Sequence, residues 1–523
     1  MIVEHTGSMP WPRSPSTQKD LSAMHSNLNR RQFLARSALA LTAAGLAGCS
    51  SSKTTSFVKP GSAAVKAAEA ERRRTGTVVQ RALTAEPVTL DLGGKTAKTW
   101  AYRGASSGQP LRGNVGDTLK VALTNDLPDP TSVHWHGLAL RNDMDGVPNL
   151  TQKTVQPGGS FAYEFILPEP GTFWFHPHVG VQLDRGLYAP LIIDDPNEKA
   201  DYDKEWIIVL DDWLDGVTAT PDQVLKELSQ GMMDHGGMDM GPMRMGNTLM
   251  GATSPLLGGD AGDVYYPLYL INGKPANDPQ TFTAKPGERI RLRIINAGGD
   301  TAFRFGVAEH PLTITHSDGF PVDPYEAESV VLGMGERYDA VITAGDGAFA
   351  VIAEALGKQD QALAVLRTGS GTAPTTKTKL PQTKIPATAG DLRAASTVAL
   401  PKRDVDRTVA LELTGGMEKY DWAINGNRMD MEQPMRDALG IKEGERVALE
   451  FKNSTTMWHP MHLHGHTYQH PDGGPRKDTS IVLPGKTLRV EFDADNPGRW
   501  LTHCHNVYHG EAGMMTTIAY QEN

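Results

Sequence analysis

The 523-residue chain predicts an all-β protein of three Greek-key β-sandwich domains. Short alternating apolar runs bounded by Gly, Pro, Asn and Asp fill the chain beyond residue 75. One such run recurs three times at domain-sized intervals. The length itself suits about three domains at ~150 residues each.

Residues 1–49 read as an export signal rather than as fold. Asn29-Arg30-Arg31-Gln32-Phe33-Leu34 resembles a twin-arginine signal. The Ala/Leu-rich stretch that follows, from Ala38 to Ala47, is too short to span a bilayer. Leu46-Ala47-Gly48-Cys49 resembles a bacterial lipobox, with Cys49 as the lipidated first residue of the mature chain. The alternative is an ordinary anchor or cleaved signal with a chance cysteine. The first reading implies a cell-envelope lipoprotein held by its lipid on the extracytoplasmic face of the membrane. Residues 50–75 read as a tether, Ser-rich up to Ser56 and of helix-favouring composition over 64–74.

The repeat defines the rest. Leu119-Lys120-Val121-Ala122-Leu123, Ile290-Arg291-Leu292-Arg293-Ile294 and Val447-Ala448-Leu449-Glu450-Phe451 each place large apolar residues on one strand face. Each run follows Gly and an acid (Gly116-Asp117, Gly287-Glu288, Gly444-Glu445) and ends in Asn125, Asn296 or Asn453. Domains are therefore expected at 76–197, 198–368 and 391–523, with the Thr/Pro/Lys-rich stretch 369–390 as a linker. The net charge of −10 and the lack of a basic recognition cluster argue against nucleic acid as a partner. The two cysteines, Cys49 and Cys504, lie in unrelated contexts, which argues against a disulfide.

The first and third units match more closely still. His134-Trp135-His136-Gly137 begins 18 residues after Gly116, and His462-Leu463-His464-Gly465 begins 18 after Gly444. His176-Pro177-His178 falls five residues after Gly171, and His503-Cys504-His505 five after Gly498. One His-x-His pair on a strand aims two rings to one face and is weak evidence alone. Four pairs at matching places in two units point to one shared metal cluster. At the corresponding places the middle unit has Phe305 and Val307, so it reads as a spacer. Cys504, with His509 five residues on and Met514 ten on, adds a thiolate, an imidazole and a thioether, the donor set of a blue-copper site. A buried structural cysteine or a nucleophile would explain neither the flanking histidines nor Met514.

On these motifs, with His459-Pro460-Met461 preceding His462, the chain resembles the three-domain multicopper oxidases, and most of all bacterial copper-resistance oxidases of the mycobacterial and actinobacterial lipoprotein type. The resemblance implies three cupredoxin-like domains with the copper cluster between the first and third, and four copper ions per chain. It implies His459, Cys504 and His509 on a type 1 copper, with Met514 axial, and His134 and His462 on a type 2 copper. The type 3 pair takes His136, His176 and His505 on one ion and His178, His464 and His503 on the other. The activity implied is one-electron oxidation of a small donor coupled to four-electron reduction of O2 to water, in a monomer. With eight cluster histidines, a copper nitrite reductase needing only two copper sites is a poor alternative.

Two features refine the expected chemistry. Asp145, nine residues after His136, matches an acidic position near the type 2 copper of relatives and is the leading proton donor; the plain alternative is an Asp-Gly turn with Gly146. Many laccases carry an acid directly after the histidine at 509, whereas this chain has Gly510 and then Glu511, so the role could shift to Glu511 or lie elsewhere. His466 is expected to support ligands, and His310 and His316 to be packed or surface residues. Met232, Met233, Met238, Met240, Met243, Met245 and Met250, with His235, crowd the Gly-rich segment 232–250. Thioethers are soft and select Cu(I), so the expected donor is Cu(I), for copper detoxification. Alternatives are a laccase acting on phenols or aromatic amines, a ferroxidase taking Fe(II), or a copper-sequestering envelope lipoprotein.

Overall fold

The computed structural model describes residues 56–522, apart from 107, 200 and 232–241. The predicted signal, with Cys49, and Met232, Met233, His235, Met238 and Met240 lie outside the described residues. Among those described, strands dominate and form three two-sheet sandwiches.

The repeated run is a buried strand in every sandwich: Thr118–Asn125, Arg289–Asn296 and Arg446–Asn453. In each, the alternate residues Leu119, Val121 and Leu123, or their counterparts, are removed from water. Each run pairs in parallel with the strand that opens its domain: Val78–Asp91, Lys204–Trp213 or Arg407–Thr414.

The repeated asparagine has a physical reason. Asn125 Nδ2 donates to the carbonyls of Asp129 and Val155, while its Oδ1 accepts from Leu127 N. Asn296 does the same with Thr301, Leu332 and Gly298. Asn453 does it with Met457, Val482 and Thr455. A buried amide with three partners ties the departing loop to a neighbouring segment. The repeated glycines turn the chain into the strand at φ of +87°, +83° and +82° for Gly116, Gly287 and Gly444, a region open to glycine.

The second sheets carry the histidines. In the first sandwich, His134–His136 pairs with Gly171–His176, placing His134 opposite His176. In the third, His459–Leu463 pairs with Arg499–Cys504, placing His462 opposite His503. The apolar faces of both sheets meet in one core, in the first sandwich through Leu119, Val121, Trp135, Phe175 and Leu191. In the middle sandwich Phe305 and Val307 are buried among apolar neighbours, so a core takes the place of a metal pair.

The N-terminal segment is more than a tether from residue 56 on. Ser62 caps the helix Ala63–Glu71. Val58 N donates to Tyr520 O at 2.8 Å, and Glu69 Oε1 accepts from Ile166 N at 3.1 Å, so the segment is fastened to the first and third sandwiches. Residues 369–390 run along the middle sandwich, with Leu380 and Ala387 buried and Ala387 hydrogen-bonded to Ser329 and Val331.

Candidate metal centre

The four His-x-His pairs meet where the first and third sandwiches touch. The His134 ring stacks on His464, and His136 stacks on His462, each at a centroid distance of 3.8 Å. His503 Nε2 lies 3.3 Å from His178 Nε2 and 3.1 Å from His464 Nε2. His505 Nε2 lies 3.2 Å from His136 Nδ1. All eight rings are buried. Burial first, and neighbouring imidazoles second, hold His136, His176, His178, His464, His503 and His505 well below the usual histidine range. Neutral imidazoles are what a metal ligates.

The test of fit is the set of nitrogens that hydrogen bonding leaves over. His134 Nε2, His176 Nε2, His462 Nε2 and His505 Nδ1 are buried without any partner. Each such atom costs about 1–3 kcal/mol unless something binds it. On His134, His176 and His462 the other nitrogen is committed to a carbonyl, of Asp145, Pro177 and Asp478 respectively, at 2.9 Å in each case. That leaves Nε2 bare and fixes the tautomer as a metal site requires. The donor set fits a group of bound coppers.

A second group lies in the third sandwich. His459 Nδ1 and His509 Nδ1 stand 3.1 Å apart, and Cys504 Sγ stands 3.6 and 3.8 Å from them. Met514 is fully buried beside them in the same core, and Cys504 N donates to Met514 O at 3.0 Å. The outer nitrogens are held: His459 Nε2 by Thr455 Oγ1 at 2.8 Å, His509 Nε2 by Asp263 Oδ2 at 2.9 Å. Trp422 covers the pair, its ring centroid 4.4 Å from that of His509. Burial pushes the free Cys504 thiol up, which makes it a poor free nucleophile; a bound metal would be needed to draw off its proton and hold it as the thiolate. Cys504 joins the two groups covalently, since its chain neighbours His503 and His505 belong to the eight-histidine cluster.

Asp145, the predicted acid, is fully buried between two cluster rings. Its Oδ2 accepts from His464 Nδ1 at 3.0 Å, and its Oδ1 lies 3.2 Å from His134 Nδ1 but takes no hydrogen bond. Glu511 lines a cavity of about 30 Å³ together with His176, His178, His503 and His505. Burial, and then the charge of Asp222, pushes its carboxyl up to about 7. His466 donates Nδ1–H to His464 O at 3.2 Å, a supporting contact. His310 is packed, bonded to Ala308 O and Gly345 N, and His316 contacts Thr315 Oγ1. Met243 and Met245 stand exposed on a short hairpin with Thr248–Met250. A cavity of about 320 Å³ opens beside Gly137 and His466, with Arg476, Asp493 and Asp495 among its walls.

Three groups escaped the sequence reading, two of them, Asp478 and Asp263, because they come from distant segments. Asp478 accepts from His136 Nε2 at 3.0 Å. Thr455 and Asp263 hold the outer nitrogens of His459 and His509. Asp263 belongs to the middle domain, so that domain is not merely a spacer. Nothing in its local sequence marks it.

The half-buried Asp260 beside Asp263 is pushed up to about 7 by burial and then by the Asp263 carboxylate, from an ordinary value of 3.8. Between those values the folded chain holds more protons than the unfolded one. This contribution is therefore full below the ordinary value and lost as pH rises through about 7. Asp260→Asn should raise the thermal midpoint by roughly 2 °C or more near pH 8 and leave it unchanged near pH 4, as read by thermal scans.

Three sandwiches that bury a His2Cys group and an eight-histidine group define a cupredoxin-type copper oxidoreductase. Family models described as multicopper oxidase match residues 84–198, 204–371 and 402–523. "Multicopper oxidase MmcO" of Mycobacterium tuberculosis is 45% identical over 509 residues, covering 96% of this chain and 99% of that protein. "Copper resistance protein A homolog" of Pseudomonas syringae pv. tomato is 27% identical, covering 84% of this chain and 92% of that protein. Among solved structures, a multi-copper oxidase from Pseudomonas thermotolerans superposes with a TM-score of 0.66 at 26% identity, covering 85% of this chain and 100% of that one. The chain belongs to the multicopper oxidases.

Proposed function

We propose that the enzyme oxidises Cu(I) to Cu(II), one electron at a time, and reduces O2 to two waters with four of those electrons. The observation that carries the oxidase reading is the set of bare, buried imidazole nitrogens joined through Cys504 to the His459–Cys504–His509 group. Copper held there supplies one-electron acceptance at the cysteine group and multi-electron delivery to oxygen at the histidine cluster. His459, Cys504, His509 and Met514 would hold a type 1 copper. His134 and His462 form the type 2 set, and His136, His176, His505 with His178, His464, His503 form the type 3 sets, for four ions in all.

The protein's own groups do the rest. Asp263 holds the His509 imidazole from the side facing the middle domain and steadies the route by which electrons arrive. Asp145, whose Oδ1 is free, stands beside His464 and His134 as the relay for a proton, and Glu511, raised by burial, holds a proton at the small cavity against the cluster. Burial excludes bulk water and keeps partly reduced oxygen from leaking.

Cu(I) as donor is supported by thioethers in two places. One is the 232–250 segment, with Met243 and Met245 exposed. The other is the loop bearing Met429, Met431 and Met435, which packs against Met515. Met429 N donates to Gly513 O at 3.0 Å, directly before Met514. The name of the Pseudomonas syringae relative fits this reading. Deleting 232–250, or replacing Met429 and Met431 by Leu, should lower kcat/KM for Cu(I) about tenfold, near 1.4 kcal/mol, and spare phenol oxidation. Equal losses with both donors would remove the thioethers from the donor site.

Oxygen uptake by copper-loaded protein, with Cu(I), Fe(II) and a phenol each alone, tests the whole reading. Uptake fastest with Cu(I) supports it; preference for the phenol or for Fe(II) makes the protein a laccase or a ferroxidase. Copper binding without uptake makes it a sequestering protein. Export by the twin-arginine route and lipidation at Cys49, in a monomer, complete the proposal. Metabolic lipid labelling lost in Cys49→Ala tests the anchor.

A further inference from the structure

The middle domain reaches the histidine cluster through Arg337, with Asp318 accepting from the backbone of Asp478 and Thr479 beside it. Arg337, fully buried at the start of the strand Arg337–Thr343, donates Nη1 and Nη2 to the two carboxylate oxygens of Asp478, each at 2.7 Å. Its Nε donates to Thr172 O in the first domain at 3.1 Å, and Nη2 also to Asp318 O at 3.1 Å. One guanidinium thus joins all three domains.

Asp478 passes this anchorage to two rings. Its Oδ1 accepts from Thr479 Oγ1 at 2.8 Å and from His136 Nε2 at 3.0 Å, and its carbonyl accepts from His462 Nδ1 at 2.9 Å. A carboxylate gripped at both oxygens by a guanidinium offers only acceptor sites. His136 must then carry its hydrogen on Nε2 and present Nδ1 to the cluster, where His505 Nε2 lies 3.2 Å away. On the same segment Gly335, at φ +85°, brings bare backbone against the rings. A Cβ there would stand 2.8 Å from His505 Cδ2 and 3.0 Å from His136 Cε1.

We propose that Arg337 and Asp478 are positioning residues of the cluster: the guanidinium locks the carboxylate, and Asp478 locks His136 as an Nδ1 ligand and His462 as an Nε2 ligand. The proposal rests on the ligand assignment above. Its chemistry also predicts which replacements fail. In Asp478→Asn an amide hydrogen must face a guanidinium hydrogen on one side or the other, so neither rotamer keeps the grip. In Arg337→Lys the charge stays and the two-pronged geometry is lost.

The test uses copper-loaded enzyme dialysed against a chelator, with copper content, the blue absorption band and the paramagnetic resonance spectrum as readouts. Both variants should keep the blue band and hold cluster copper about 10–100-fold more weakly than the unaltered protein. Cluster copper retained as in the unaltered protein would overturn the proposal. So would loss of the blue band in step with the cluster, the mark of a purely structural pair. If Asp478→Asn does not fold, Arg337→Lys decides alone. Unaltered protein that never holds more than one copper would instead overturn the ligand assignment.

Discussion

Cys504→Ser should abolish the blue absorption band and bring oxygen uptake to background with every donor, while copper at the histidine cluster remains. Serine matches cysteine in shape, and the backbone bond from residue 504 to Met514 O is untouched, so the fold should persist. What changes is the ligand: a soft, covalent thiolate gives way to a hydroxyl that binds copper poorly between His459 and His509. Cys504 is also bonded directly through the backbone to His503 and His505 of the cluster, the shortest covalent path from that site to the cluster. The loss should exceed the ~100-fold that removing an outer hydrogen bond causes. Residual uptake within tenfold of the unaltered enzyme would mean that electrons reach the cluster by another path.

Asp145→Asn should keep the blue band and the copper content but slow turnover by about 10²- to 10⁴-fold, the usual range for a lost general acid. Asparagine can still accept from His464 Nδ1 through its carbonyl oxygen; its amide nitrogen then takes the place of Oδ1, 3.2 Å from His134 Nδ1, where no hydrogen bond is lost. The ring therefore stays in place and only the exchangeable proton is lost. This separates the two buried acids: at Asp478 both oxygens are engaged by Arg337 and an amide cannot fit the same role. Turnover unchanged in Asp145→Asn would move the proton donor to Glu511 or beyond, and Glu511→Gln would be the next measurement.

The residues that could be read from sequence are those that obey a local rule. Paired histidines on a strand must recur at two-residue spacing to face one metal, so four pairs stand out. The repeated Gly and Asn stand out because a left-handed turn and a three-bonded buried amide recur in each domain. Asp145 could be singled out because it matches an acidic position near the type 2 copper of relatives, nine residues after His136. Asp478 could not, although it does comparable work. It reaches His136 from 342 positions away in the chain, outside the spacing that marks the histidine pairs. Arg337 looks like any polar residue of an alternating strand. Residues 56–75 look like a solvated tether, and their fastening to Tyr520 and Ile166 depends on segments far along the chain.

By itself the sequence determined the strands, the threefold repeat and the identity of the atoms able to bind copper, since each follows from side-chain periodicity or donor chemistry. Only the tertiary structure decided which nitrogen of each ring is free to bind. That choice belongs to the hydrogen-bond partner on the opposite nitrogen, and those partners, Asp145, Pro177, Asp478 and Asp263, arrive from all three domains.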